Sequence, residues 1–464
     1  MRATLVSLSP TSAAQEAGRP ALTPELLAAT GARYSRSNEG LDAILSRIDP
    51  NNPDKSVESI FKMVDYGHAS IADICPVAIF MDGISMWLAY HIWALCPLAG
   101  GQESSTRYIR LTSDNLPDAS ELGIPDAAQD EWKNAMNAAL DAYERAVAFW
   151  EDYGAAHPEA TRIPRLLLDD PSEKAGKAVA RMKRNYAFDR ARYFLPAALR
   201  TNVMMVQSAR AWVGLCQQLL SHPLPEPQRL GALIRDELAL VAPRLIKHAA
   251  AQPSFSKASE RAFARAFVRA KDVGESWGYL LGENEDEEDT AFLEVFGEPD
   301  AEQVRDDLAF HDNRYAFIGE TLQNTAVRFG WYNLSFGDLR DLNRHRTGSK
   351  RCDLVPTGFY CAEDQADINL PPGIVEAGQK TCSRSLEVWG RDEQPWGLYY
   401  LLLGAQFEFS HTTTADKFIY EAELRTGVGA HYRYAKHLRD VLELWYERFP
   451  ATRGLILEGS AEPE

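Results

Sequence analysis

Between Asn343 and Tyr360 the chain reads NRHRTGSKRCDLVPTGFY: two arginines flank a histidine, and a Thr-Gly-Ser-Lys-Arg run follows. A guanidinium is a planar fork of five donors that grips phosphate or carboxylate oxygens two at a time. Arg344 and Arg346, one residue apart, point away from each other on a helix but share a face in an extended segment. With His345 they suit a diphosphate or the edge of an electron-rich ring. The alternative is a surface ion-pair cluster with Asp338 and Asp341. A second stretch, GGQESSTRY at Gly100–Tyr108, sets Glu103, Ser105, Thr106 and Arg107 behind a Gly-Gly hinge whose backbone amides can approach an anion. Ser105 and Arg107 then read as a nucleotide-phosphate clamp, or else as a helix N-cap and the turn behind it.

Such clusters mean more in an acidic chain. Against 66 Asp and Glu stand 49 Lys and Arg, a net charge of −17, which argues against a general nucleic-acid binder. With 464 residues, 45% hydrophobic and 25% charged, the chain has a globular make-up and is too long for one ordinary core. The six cysteines show neither CxxC nor zinc-like spacing and read as reduced packing residues of a cytoplasmic protein, with no metal site. The N-terminus has no apolar core long enough for a signal peptide. The apolar run PVAIFMDGISMWLAYHIWAL carries Asp82 and His91 and alternates strand-like with helix-like pieces, so it reads as a buried element rather than a membrane span.

The elements that must position these residues follow from periodicity. Trp132, Met136, Leu140, Tyr143, Val147 and Trp150 recur every three or four residues and predict a helix over Asp126–Tyr153. Further helices are expected at Thr201–Leu220 and Glu226–Leu245. The acidic GENEDEEDTAF at Gly282–Phe292 reads as a solvated loop. Beyond it, strand-like RYAFIGET and WYNLSF lead into Asp338–Arg346, and a helical block at Thr412–Phe449 closes the chain. Each side of the acidic loop therefore runs strand-rich segment, helix, Gly/Ser/Arg loop and long helices, an order that suggests an internal repeat.

These motifs resemble the signature of the flavin-dependent thymidylate synthase family. That signature is an Arg-His-Arg triplet leading into a loop with Ser, Glu, Ser and Arg, an upstream Gly-His-x-Ser/Thr followed by an acid, a downstream Arg-x-x-Leu-Pro, and a late arginine. The chain is similar to two such units in tandem, roughly residues 20–250 and 305–460. The first carries ARYS (Arg33, Ser35), GHASIAD (Gly67, His68, Ser70, Asp73), QESSTRY, ARYFLP (Arg192) and SARAW (Arg210). Leu95-Cys96-Pro97 stands where its Arg-His-Arg would be. The second keeps Arg344-His345-Arg346 and the late Arg425. It has Cys352, Leu354 and Pro356 in place of Glu, Ser and Arg, and Leu-Leu-Gly in place of Arg-x-x-Leu-Pro. Each unit has lost what the other kept.

The resemblance implies an α+β fold of two tandem flavin-dependent thymidylate synthase-like units, each a mixed or antiparallel sheet with long helices. They are expected at 1–250 and 305–464, around a linker at 251–304 that holds the acidic loop. It implies FAD as cofactor, NADPH and methylenetetrahydrofolate as co-substrates, and reductive C5 methylation of deoxyuridine monophosphate. Ser35, His68, Ser70, Asp73, Arg210, Arg344, His345 and Arg346 are expected at the cofactor, and Glu103, Ser105, Thr106, Arg107, Arg192 and Arg425 at the nucleotide. His68 as a core histidine and Arg192 as a surface arginine are the alternatives. Arg425 is the expected catalytic residue, because a fixed guanidinium stabilises charge that grows across the uracil carbonyls in the transition state. Its alternative is an ion pair with Glu421 at i−4 on a helix surface. No nucleophilic cysteine is required, since reduced flavin carries the one-carbon unit. Family members are homotetramers, so two chains are expected to form a homodimer built as a pseudo-tetramer with two composite sites. Two other readings stay open: a related flavoenzyme for another pyrimidine nucleotide, and a non-catalytic flavin- or nucleotide-binding protein.

Overall fold

The strands of this protein are set by alternation of buried and exposed side chains, and its helices by apolar stripes, giving an α+β fold with two antiparallel sheets. The computed structural model describes residues 1–38, 40–49, 51–53, 55–58, 69–244, 246–280, 291–366 and 369–459. In chain order its main elements begin with β1 (Arg2–Val6), α1 (Pro24–Tyr34), β2 (Pro76–Ser85), α2 (Met86–Leu95) and β3 (Gly100–Glu103). There follow α3 (Asp126–Ala156), α4 (Glu173–Ala191), β4 (Arg200–Ser208), α5 (Ala209–Leu220), α6 (Pro225–Leu238) and α7 (Pro253–Leu280). The remainder are β5 (Ala291–Val295), β6 (Ala326–Ser335), α8 (Phe336–Leu342), β7 (Ser349–Arg351), β8 (Gly358–Phe359), α9 (Ile374–Asp392), β9 (Ala405–Thr414), α10 (Ala415–Thr426) and α11 (Tyr432–Arg448).

The chain divides into two units. One comprises Met1–Ser104, Glu121–Gly123 and Arg200–Arg261; the other comprises Ser105–Ser120, Ile124–Leu199 and Ala262–Glu464. The stretch with α3 and α4 thus belongs to the unit that holds the C-terminal sheet. The span 251–304 contains α7 and β5 as well as the acidic segment, of which residues 281–290 lie outside the described residues.

In the first unit the strand order is β1-β2-β4-β3, antiparallel throughout. Val77, Ile79 and Met81 put one face of β2 into the core, and a bulge at Gly83 precedes the corner into α2. Ser85 makes that corner: its Oγ accepts the Leu88 amide at 3.0 Å, and Glu226 of α6 accepts from both the Ser85 amide and hydroxyl at 2.8 Å. The expected helix at Thr201–Leu220 is instead β4 followed by α5. Thr201, Val203, Met205 and Gln207 are buried alternately, a period of two that a run of apolar residues masks when it is read as a helical stripe.

In the second unit the order is β5-β6-β9-β7, with β8 also pairing with β9. Here too the register of the second strand shifts before a serine corner, between Trp331 and Leu334, and Ser335 Oγ accepts the Asp338 amide to start α8. Helix α3 buries the expected face, and Trp132 Nε1 donates to the Tyr399 carbonyl at 3.0 Å. The segment RYAFIGET holds no strand: Tyr315 and Phe317 are exposed, and a short helix begins at Glu320. The block Thr412–Phe449 opens as the end of β9 before turning helical. In the TGSKR run, Gly348 sits at φ +65°, and a Cβ there would lie 2.1 Å from the Thr412 carbonyl oxygen, so only glycine lets β7 close on β9.

Candidate functional site

The second unit gathers most of the expected nucleotide and Arg-His-Arg residues. Helix α8 is short, and the triplet follows it in a tight turn: the Arg344 amide donates to the Asp341 carbonyl and the His345 amide to Leu342. Arg344, His345 and Arg346 therefore leave a helix end rather than lie in an extended segment. Arg344 is half-exposed and approaches Asp341 at 3.6 Å. Arg346 has its pKa lowered by burial and by the charge of Arg344, so the two guanidinium groups repel.

Two more arginines come from the stretch between Ser105 and Leu199. The Ser105 hydroxyl accepts the Arg107 amide at 3.2 Å, and Thr106 is buried beside it. Arg107 reaches Asp189 of α4 with Nε and Nη2, both at 2.8 Å, and donates Nη1 to the Gly429 carbonyl at 2.9 Å. Burial would lower its pKa, but the Asp189 carboxylate raises it well above the usual value. Arg192, in the turn that ends α4, is fully enclosed: Nη1 meets Asp341 and Nη2 meets Asp338, each at 3.0 Å. Arg192 is thus neither a surface arginine nor an exposed clamp, because its fork is occupied by two buried carboxylates. Asp338 also accepts the Ser335 hydroxyl at 2.5 Å, and burial raises its pKa. Burial alone would raise Asp341 as well, but Arg192, Arg344, Arg425 and Arg107 together hold it well below the usual carboxylate range.

Arg425 completes the group from α10. It does not pair with Glu421 one turn away. Its Nε donates to His345 Nε2 at 2.6 Å, and its ring neighbour is Tyr434, with the guanidinium carbon 5.5 Å from the centroid. The two terminal nitrogens of Arg425 make no hydrogen bond among the described residues. An accepting Nε2 requires a neutral His345, and burial lowers the pKa of His345 to about 3. Glu421 instead faces His411 Nδ1 at 3.1 Å and His345 Nδ1 at 4.0 Å. Lys350 Nζ donates to the His345 carbonyl. In this cluster Arg107, Arg192, Arg344, Arg346, Lys350 and Arg425 outnumber the carboxylates Asp189, Asp338, Asp341 and Glu421, leaving a local excess of positive charge in an acidic protein.

The other expected residues lie in the first unit or outside the described residues. Ser35 donates its hydroxyl to the Ala32 carbonyl at 3.0 Å at the end of α1. Ser70 is exposed in the helical turn Ala69–Ile74. Asp73, from the same turn, accepts from Arg210 at 2.8 Å and from the Ser208 hydroxyl at 3.1 Å. Glu103 ends β3 opposite Val203. His68, with Gly67, lies outside the described residues. Among the described residues no group of His, Cys, Asp and Glu is placed to hold a metal ion, and no helix is long and apolar enough to cross a membrane.

Sequence reasoning missed Asp189, His411 and Lys350 as site members, and the alternative that paired Glu421 with Arg425 is not what the structure shows. Asp189 had a signal, since DRAR places a carboxylate one helical turn before Arg192. His411 had none, because a single histidine in a strand carries no spacing pattern.

Residues 21–244 match the model of the thymidylate synthase complementing protein family. That segment, just under half of the chain, is similar to this family. UPF0159 protein Ta1429 of Thermoplasma acidophilum is 23% identical over 91% of this chain and 93% of its own length. A UPF0159 protein of Chlamydia pneumoniae is 22% identical over 75% of this chain and 73% of its own length. Among solved structures, the UMP/dUMP methylase PolB of Streptomyces cacaoi, bound with 5-Br dUMP, is 15% identical, with a TM-score of 0.31 over 53% of this chain and 93% of that one.

Proposed function

We propose that this protein is a thymidylate synthase of the flavin-dependent type, methylating C5 of deoxyuridine monophosphate with methylenetetrahydrofolate as carbon donor and NADPH as reductant. The observation that carries the reading is Arg425. Among the described residues its guanidinium is held by one hydrogen bond, through Nε, while both terminal nitrogens remain for a ligand. A fork so placed suits the carbonyl edge of a uracil ring that gains negative charge as C5 reacts. Arg107, aimed by Asp189, and the half-exposed Arg344 supply positive charge for the nucleotide phosphate. Arg192 then acts by holding Asp338 and Asp341 in place rather than by touching phosphate.

The same residues fit FAD, the cofactor the family reading requires. Arg344 and Arg346 are like charges close enough to repel, and a diphosphate beside them would relieve that repulsion. When bound, the flavin supplies the reducing equivalents and carries the one-carbon unit. In this proposal Ser35, Ser70, Asp73 and Arg210 remain cofactor contacts, and the chain acts as a homodimer of tandem-unit subunits. The strand order shared by the two sheets, first-second-last-third apart from the extra β8, supports the tandem reading. A second reading, a relative acting on another pyrimidine nucleotide, is favoured by one observation: the fork of Arg192 is already filled by carboxylates. The test is the visible spectrum and product. Yellow protein should bleach with NADPH and regain colour as deoxyuridine monophosphate and methylenetetrahydrofolate give thymidylate. Colourless protein that binds no flavin would sink the proposal, and turnover of a different pyrimidine nucleotide alone would select the second reading.

A further inference from the structure

Glu421 and Arg425 lie one turn apart on α10, the spacing at which a carboxylate and a guanidinium pair directly on a helix surface. They do not pair. His345 stands between them, taking the Arg425 Nε–H on Nε2 at 2.6 Å and turning Nδ1 toward Glu421 at 4.0 Å. Behind Glu421, His411 of β9 is anchored by its Nε2, 2.8 Å from the Thr347 carbonyl. A carbonyl only accepts, so that nitrogen bears hydrogen. Its Nδ1 lies 3.1 Å from Glu421 Oε2, in contact with the carboxylate but out of line for a hydrogen bond. His345, Glu421 and His411 are all buried, and no described contact ties Arg425 elsewhere by a hydrogen bond.

We infer that Glu421 and His411 are positioning residues which, through His345, aim the guanidinium of Arg425 at the ligand. The charge of Glu421, 4.0 Å from Nδ1 and beyond hydrogen-bond reach, favours the His345 tautomer protonated there, which leaves the Nε2 lone pair for Arg425. His411 fixes Glu421. The chain from strand β9 to helix α10 to the Arg-His-Arg turn thereby leaves the terminal nitrogens of Arg425 unspent. The depressed pKa of Glu421 agrees with this: burial would raise it, and His345, His411 and Lys350 lower it below the usual value.

The inference rests on the proposed role of Arg425, so its test reads the orientation separately from methylation. In protein with labelled arginine side chains, the Nε–H of Arg425, identified by its loss in Arg425→Lys, should exchange slowly with solvent. Glu421→Gln should accelerate that exchange at least about 10-fold, and His411→Gln should do so to a lesser degree, because a lost hydrogen bond exposes the donor. In the flavin-loaded enzyme the same variants should lower kcat by about 10-fold or more while the KM for nucleotide stays within about 3-fold, the pattern of an interaction realised in the transition state. Unchanged exchange in both folded variants would overturn the relay. Faster exchange in a protein that never forms thymidylate would uphold the relay and remove the proposed reaction. Should Glu421→Gln fail to fold, His411→Gln decides alone.

Discussion

Replacing Asp189 by Asn tests whether Arg107 is a preorganised ligand arm. The ion pair is buried on both sides: the Arg107 and Asp189 side chains are 11% and 2% exposed, and both N···O distances are 2.8 Å. Removing one partner of such a pair costs about 3–5 kcal/mol, because the remaining charge is left desolvated. Here Asn keeps one oxygen as acceptor, and Arg107 keeps its bond to the Gly429 carbonyl. The cost should therefore fall at the low end, about 3 kcal/mol. Urea unfolding followed through Trp132 and Trp150, both buried in the same unit, would read it. The amide nitrogen of Asn would also face a guanidinium N–H, donor against donor, and swing Arg107 from its present direction. Calorimetric titration with deoxyuridine monophosphate should show affinity reduced by about 10- to 100-fold, the range for losing one charge-assisted contact. A variant with unchanged stability and unchanged affinity would show that the pair neither holds the second unit together nor aims Arg107.

Arg425→Lys keeps the charge and a similar helix propensity but lacks the fork; flavin reduction should survive while single-turnover methyl transfer from pre-reduced enzyme falls by about 10²–10³-fold. Equal rates would return Arg425 to a structural role. Arg346→Ala should weaken flavin retention by about 1.5–3 kcal/mol, read as flavin content after gel filtration, and full retention would count against the cradle. Stability should fall with acid for a stated reason. His345 is held neutral to about pH 3, and burial holds His431 and His437 well below the usual value, so the unfolded chain binds more protons below about pH 6.5. The stabilisation is whole above that pH and is lost as pH drops toward the folded values, by about 1.4 kcal/mol per pH unit for each histidine. Urea midpoints at pH 7, 6 and 5 would show the slope; a flat profile would mean these rings take up protons in the folded state.

How much of this could be read from the sequence depends on whether a feature is local. The stripe from Trp132 to Trp150 specified α3 because a helix states its period within its own residues. The sheet was harder. In β4, apolar residues on both sides of the pleat blur the alternation, and only pairing with β2 and β3 reveals the strand. The Arg-His-Arg triplet and the QESSTRY loop were legible as cation-bearing segments, but not what each cation would meet. Arg192 was expected to face a phosphate and is closed on by Asp338 and Asp341, about 150 residues away in sequence. Arg425 and Glu421 had the spacing of a helix pair, and a histidine from another element separates them. Partner choice between distant ionic groups leaves no periodic trace.

The two serine corners show how similar topology yields different chemistry. Each sheet sends its second strand through a register shift into a helix capped by serine, at Ser85 and at Ser335. At Ser85 the cap is satisfied by Glu226, and the helix that follows buries Met86, Trp87, Leu88 and Ile92. A helix apolar on nearly every face has no carboxylate with which to hold an arginine. At Ser335 the hydroxyl turns to Asp338, and the next turn of α8 adds Asp341, so the corner becomes an anionic ledge. That ledge anchors Arg192 and lies within the fields of Arg107, Arg344 and Arg425. Under the tandem reading, the first corner would have kept the cap and given up the charge, while the second turned the cap into the support for a nucleotide site. Exchanging Asp338 for Leu and Asp341 for His, the residue types three and six places past Ser85, should then remove nucleotide binding, as measured by titration, while the Ser335 Oγ–amide cap survives. Retained binding in that double variant would place the support of the arginine cluster outside α8.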